Sequence, residues 1–199
     1  DDAQFYGFVG YDWDKISFPQ IDQKSSTLNR RFVGLTKKYP GLVNVTSELG
    51  FFERTFTQNT DTNDENIDYK VSLESVFSVY TRLYASFVGN VNQPSLRSDY
   101  SDYTSNTLLL GVNHALNPKT NLLLNYTFEN QQFDAPDALI GVAELEKETN
   151  IQTLGLGLNR KLRAWLDIDL TYTYTKRDTD FVAEGYTDNK VGVALTARY

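Results

Sequence analysis

The feature that most constrains this chain is an alternation of apolar and polar residues, sustained from Asp68 to the end in segments of about ten or more residues. Alternation with a period of two is the signature of an extended strand with one apolar face and one polar face. In YKVSLESVFSVY (69–80), Tyr69, Val71, Leu73, Ser75, Phe77 and Val79 share one face, and Lys70, Ser72, Glu74, Val76 and Ser78 the other. A tight connection at Tyr80-Thr81-Arg82 leads into a second segment whose apolar face carries Leu83, Ala85, Phe87, Gly89 and Val91. Together they read as a hairpin.

The same grammar continues to the C-terminus, with short turns and long polar connections taking turns. Pro118 sits in the short turn NPKT, where its missing N–H costs no ladder bond. The strand after it turns Leu122, Leu124, Tyr126 and Phe128 outward and Asn125, Thr127 and Glu129 inward. The clearest pair follows. ETNIQTLGLGLNRKLR sets Leu154, Leu156 and Leu158 against Thr153, Gly155, Gly157 and Asn159, and AWLDIDLTYTYTKRD sets Leu166, Ile168, Leu170, Tyr172 and Tyr174 against Asp167, Asp169, Thr171 and Thr173.

The N-terminal third is less regular, with AQFYGFVGYDWD, LNRRFVGLTKKY and LVNVTSELGFFERTFT as its expected strands and Pro40-Gly41 as a turn. The total is about ten strands, an even number that puts both termini on the periplasmic side, as in bacterial barrels. The expectation is therefore an all-β, antiparallel, up-and-down transmembrane β-barrel, with residues 1–199 as a single domain. Ten strands closed on themselves would leave little lumen, whereas the same strands within a larger barrel would line a wide pore.

Composition narrows the function classes. No run approaches the roughly 18 apolar residues that a membrane-spanning helix needs. The mean hydropathy of -0.44 hides any barrel signal, because strands alternate. Tyr (13) and Phe (12) are abundant, as in the aromatic girdles of outer-membrane barrels. Cys is absent, which removes disulfides, thiol catalysis and thiolate metal sites. A net charge of -7 argues against nucleic acid as a partner. Met is absent too, so the expectation is a mature protein without its signal peptide or a piece of a longer chain.

The last hundred or so residues resemble the β-barrel porins found with exopolysaccharide synthesis and export systems, the β-barrel porin 2 group. The resemblance is carried by TLGLGLNRKLRAWLDIDLTYTYTKRDTD followed by NKVGVALTARY, with a short basic turn, an up-strand and a Tyr-rich, charged rim. Members of that group are usually longer, so the resemblance implies a C-terminal portion or a short relative. Val191, Val193, Leu195 and the terminal Tyr199 on one face resemble the assembly signal that outer-membrane insertion machinery reads.

Several residues invite a chemical reading. Asp167 and Asp169 share an inward face and could bind a cation or support acid–base glycoside chemistry. An ion pair is the stronger reading, with Arg198 expected inward on the next strand, roughly opposite Asp167. Glu48, Glu74 and Glu129, with Arg54, are further inward charges suited to an electrostatic filter or, in a narrow barrel, to plug interactions. Asn125 and Asn159 complete the expected lumen-facing set.

The acid-rich stretches NTDTNDENID, DAPDALIGVAELEKE and KRDTDFVAEGYTD lack the full calcium-loop spacing and read as solvated loops, so no metal or other cofactor is expected. His114 falls near the short-turn rim without a second His or Cys to form a relay. Arg30-Arg31 and Lys37-Lys38 suit lipopolysaccharide phosphates or plain solvated strand ends. Together these features predict a non-enzymatic barrel in the outer membrane of a Gram-negative-type bacterium, passing polysaccharide or small polar solutes. Its expected partners are outer-membrane lipids and lipopolysaccharide, the insertion machinery and polysaccharide export components. The alternative is a closed, filled barrel with a structural or partner-binding role.

Overall fold

A computed structural model describes residues 3–17, 25–56, 63–94, 102–133, 147–181 and 184–197. They form ten strands and no helix: β1 (Gln4–Ile16), β2 (Ser26–Tyr39), β3 (Val43–Phe56), β4 (Asn63–Val76), β5 (Thr81–Pro94), β6 (Asp102–Asn117), β7 (Thr120–Phe133), β8 (Lys147–Arg163), β9 (Leu166–Thr179) and β10 (Tyr186–Ala197). Each strand pairs antiparallel with its sequence neighbours in one sheet of order β1 to β10. Among the described residues no ladder joins β1 to β10, which are the two edges. The fold is all-β and up-and-down, as the alternation predicts.

Short turns and long connections segregate to opposite ends of the sheet. Gly41 takes a φ of 74° between β2 and β3, a left-handed value that suits glycine at the turn after Pro40. Pro118-Lys119 and Ala164-Trp165 form the tips between β6 and β7 and between β8 and β9. The β4–β5 turn differs from the sequence expectation. It spans Phe77 to Tyr80, closed by backbone bonds between Ser78 and Thr81, so Phe77 and Val79 lie beyond the strand. Ser78 also accepts the Tyr80 N–H through its hydroxyl, which fixes this turn locally.

Boundaries at the long-connection end also shift. Residues 63–68 of the expected loop NTDTNDENID belong to β4, and both flanks of KRDTDFVAEGYTD belong to β9 and β10. ALIGVAEL (138–145) lies outside the described residues.

The register makes the two faces continuous across all ten strands. One line of partners runs Gln4, Lys38, Asn44, Glu74, Tyr84, Gly111, Asn125, Gly155, Thr173, Lys190. Residues of this parity form the polar face. The opposite parity is apolar and exposed, with Val9, Leu35, Leu49, Val71, Phe87, Leu110, Leu124, Leu156, Leu170 and Val193 giving one exposed side chain per strand. The buried residues Phe52, Arg54, Asp68, Ser105, Gln131, Thr149 and Asp167 sit on the polar face. The usual arrangement of a water-soluble sheet is inverted.

Candidate functional site

The polar face is held together near β1 to β4 by one guanidinium. Arg30 on β2 binds Asp68 on β4 in bidentate fashion, through Nε at 2.5 Å and Nη2 at 3.0 Å. The same Nη2 donates to Glu48 on β3 at 2.6 Å, and Nη1 reaches Asp12 on β1 at 3.4 Å. Four strands are tied by one side chain. Asp68 lies two strands away, and Arg30, whose own β3 partner is Phe52, reaches it diagonally over Gly50, the register partner of Asp68. A Cβ at Gly50 would collide with the Asp68 carboxylate and the Arg30 guanidinium. The Phe32 ring, 4.7 Å from the guanidinium carbon, supports Arg30 from the same face.

Arg30 corrects the reading of Arg30-Arg31 as one basic pair. The two side chains belong to opposite faces: Arg30 enters the network, and Arg31 stands exposed on the apolar face beside Val33 and Phe51. The signal was present in the sequence, because Phe32 and Gly34 share the parity of Arg30 whereas Val33 and Leu35 share that of Arg31. Asp12 and Asp68 are the other members that sequence reasoning missed.

A second group gathers at the long-connection end. Tyr103 on β6 lies within the electrostatic reach of Glu129 on β7, Arg54 on β3 and Arg177 on β9. Arg54 and Arg177 come from three strands to either side of Tyr103, so this face is the concave one. Tyr103 also stacks on Phe133 at 5.0 Å, and Phe181 meets Phe133 edge-on at 5.0 Å. Phe133 and Phe181 are buried, and Lys147 lies over the Phe181 ring at 4.8 Å. Sequence periodicity gave no hint of this cluster, because Phe181 comes from a connection. Below it, Thr149 and Thr179 share a hydroxyl hydrogen bond at 2.6 Å, and Thr153 and Thr175 share one at 3.4 Å.

The register puts Glu48, Arg54, Glu74, Asn125, Glu129, Asn159, Asp167 and Asp169 on one face. It does not bring them into one site. Glu48 joins Arg30, Glu129 accepts from Gln131 at 2.7 Å, and Asn159 donates to Asp169 at 2.6 Å. Asn125 is laid over Gly155, Glu74 is exposed, and Asp167 is buried opposite Thr196. Arg198 and Tyr199 lie outside the described residues. Val191, Val193 and Leu195 share the apolar face of the edge strand β10 and are exposed.

His114 hydrogen-bonds the Thr81 hydroxyl at 2.8 Å near the short-turn end. Among the described residues no group of three or more His, Cys, Asp or Glu side chains is placed to hold a metal ion. A concave face lined with paired charges, hydroxyls and amides can hydrate and hydrogen-bond a polar solute along its length. No protein-family model matches this chain, and a search of curated proteins finds no similar sequence.

Proposed function

We propose that this sheet is the wall of a transmembrane β-barrel of a Gram-negative-type outer membrane, its concave polar face lining a lumen that passes polysaccharide or small polar solutes without catalysis. The observation that carries this reading is the inverted sheet, with an unbroken exposed apolar face across ten strands. Leaving a large apolar side chain in water forgoes about 1.5–3 kcal/mol, so one on each of ten strands forgoes up to roughly 15–30 kcal/mol. That exceeds the net stability of an ordinary domain, about 5–15 kcal/mol. Hydrocarbon removes the cost. Strands of 12 to 17 residues exceed the roughly 9–11 needed to span a bilayer, leaving rims beyond it.

Glu48, Arg54, Glu74, Asn125, Glu129, Asn159, Asp167 and Asp169 are then lumen-facing, offering hydrogen bonds without a deep well, as conduction requires. The exposed β10 edge, with Val191, Val193 and Leu195, suits recognition by insertion machinery through strand addition. Arg31 suits a lipopolysaccharide phosphate. The resemblance to exopolysaccharide-associated porins makes polysaccharide the favoured cargo and export components the favoured partners.

A second reading, a filled barrel with a structural or partner-binding role, is favoured by the cluster of buried Phe133 and Phe181 with partly buried Tyr103 at the mouth of the polar face. Conductance of the folded protein in planar bilayers separates the two. Large steady current steps are expected from a pore, and silence from folded protein would make the filled barrel the correct reading.

A further inference from the structure

The short-turn end of the sheet carries a basic and aromatic rim. Lys119 sits at the β6–β7 tip, Arg160 and Arg163 at the end of β8, and Trp165 at the β8–β9 tip, all exposed. Arg160 pairs in register with Ile168 and Arg163 with Leu166, so both belong to the apolar face. On β2, Lys37 lies on that face too, 4.9 Å from the Phe5 ring and 4.7 Å from the Tyr39 ring. Among the described residues no carboxylate forms an ion pair with Lys37, Lys119, Arg160 or Arg163. The far end of the same face is mixed in sign: Glu53 and Glu65 oppose each other there, and Lys176 is neutralised by Asp178 at 2.7 Å.

We propose that this rim is a binding collar for the phosphate groups of anionic phospholipids, and it rests on the membrane reading given above. Cations at the border of an apolar face meet the headgroup layer when that face meets hydrocarbon, with their carbon stems along the apolar surface and their charges in the polar layer. Trp and Tyr settle at the same depth, because their rings are apolar and their N–H and O–H are not. The guanidinium groups of Arg160 and Arg163 match a phosphodiester in shape and in donors. Among the described residues no carboxylate pairs with the collar, so its charge complements anionic lipid.

The chain contains two tryptophans, Trp13 near the long-connection end of β1 and Trp165 within the rim, and both are exposed. Trp13→Phe leaves Trp165 as the only tryptophan, excited selectively at the red edge beyond tyrosine absorption, and Trp165→Phe leaves Trp13. Each variant is folded into phosphatidylcholine vesicles doped with brominated phosphatidylglycerol or, at equal mole fraction, brominated phosphatidylcholine. Trp165 should be quenched several-fold more effectively by the anionic lipid, and Trp13 equally by both. A basic residue near a membrane surface is worth about fivefold in local anionic-lipid affinity, so K119Q/R160Q/R163Q should bring the Trp165 ratio close to one.

About 1 M salt should do the same in the unsubstituted rim, independently of how the triple variant folds. Equal quenching of Trp165 by the two lipids, or a preference that survives both treatments, would overturn the collar while leaving the membrane reading intact. Failure of either lipid to quench either tryptophan would remove the membrane reading and the collar with it.

Discussion

Arg30 is the side chain whose loss should be felt most, because it faces Asp68, Glu48 and Asp12 at once from a position only 15% exposed. Arg30→Gln leaves carboxylates buried without their cation, for which the expected cost is about 3–5 kcal/mol. The midpoint of urea unfolding in vesicles reads it directly. Arg30→Lys should recover only part, since an ammonium cannot bind Asp68 through two parallel bonds. Adding Asp68→Asn to Arg30→Gln should restore part of the stability lost in the single variant, because the more buried of the two stranded carboxylates, Asp68 against Glu48, is then neutral. None of this network is visible as a motif. Parity along β2 would have placed Arg30 inward, but its partner Asp68 is 38 residues away and is reached only across Gly50.

At the scale of the strand, the sequence was most legible where alternation was cleanest. Faces and partners of β7, β8 and β9 follow from counting by two, and Asn159, Asp167 and Asp169 fall where that count puts them. Ends were less legible. A turn is set by local bonds such as those between Ser78 and Thr81, which place the β4–β5 reversal before Thr81 rather than around it. Glycine sites were hidden for a related reason, because their purpose lies on the neighbouring strand. The Tyr84 ring of β5 lies over Gly111 of β6, where a Cβ would collide with it. Gly111→Ala should therefore cost about 1–3 kcal/mol by overpacking, measurable as a lowered urea midpoint. The two faces make a sharper contrast. Leu156→Arg should cost about 2–4 kcal/mol in vesicles, as a cation against mid-bilayer hydrocarbon, and Asn125→Arg, of opposite parity on the adjacent strand, should cost far less. Equal costs would contradict the assignment of faces.

For the molecule as a whole, if the sheet lines a conducting pore as proposed, the net charge of -7 and the carboxylates of the polar face predict a preference for cations. Reversal potentials in a potassium chloride gradient should shift toward the potassium equilibrium value, and Glu48→Gln with Glu129→Gln should reduce the shift. The sheet's order and inversion could be read from the sequence, but its curvature could not. The approach of Arg54, Tyr103 and Arg177 depends on how ten twisted strands roll together, a property of the assembled sheet.

The open seam between β1 and β10 has a kinetic consequence. Each margin offers a row of amide and carbonyl groups that oil cannot satisfy, at several kcal/mol for each orphan. If the sheet enters a bilayer as proposed, entry and satisfaction of those rows must be a single event. If the two margins zip to each other, the rate of entry is independent of how much protein is present; if they zip onto another molecule, it rises with concentration.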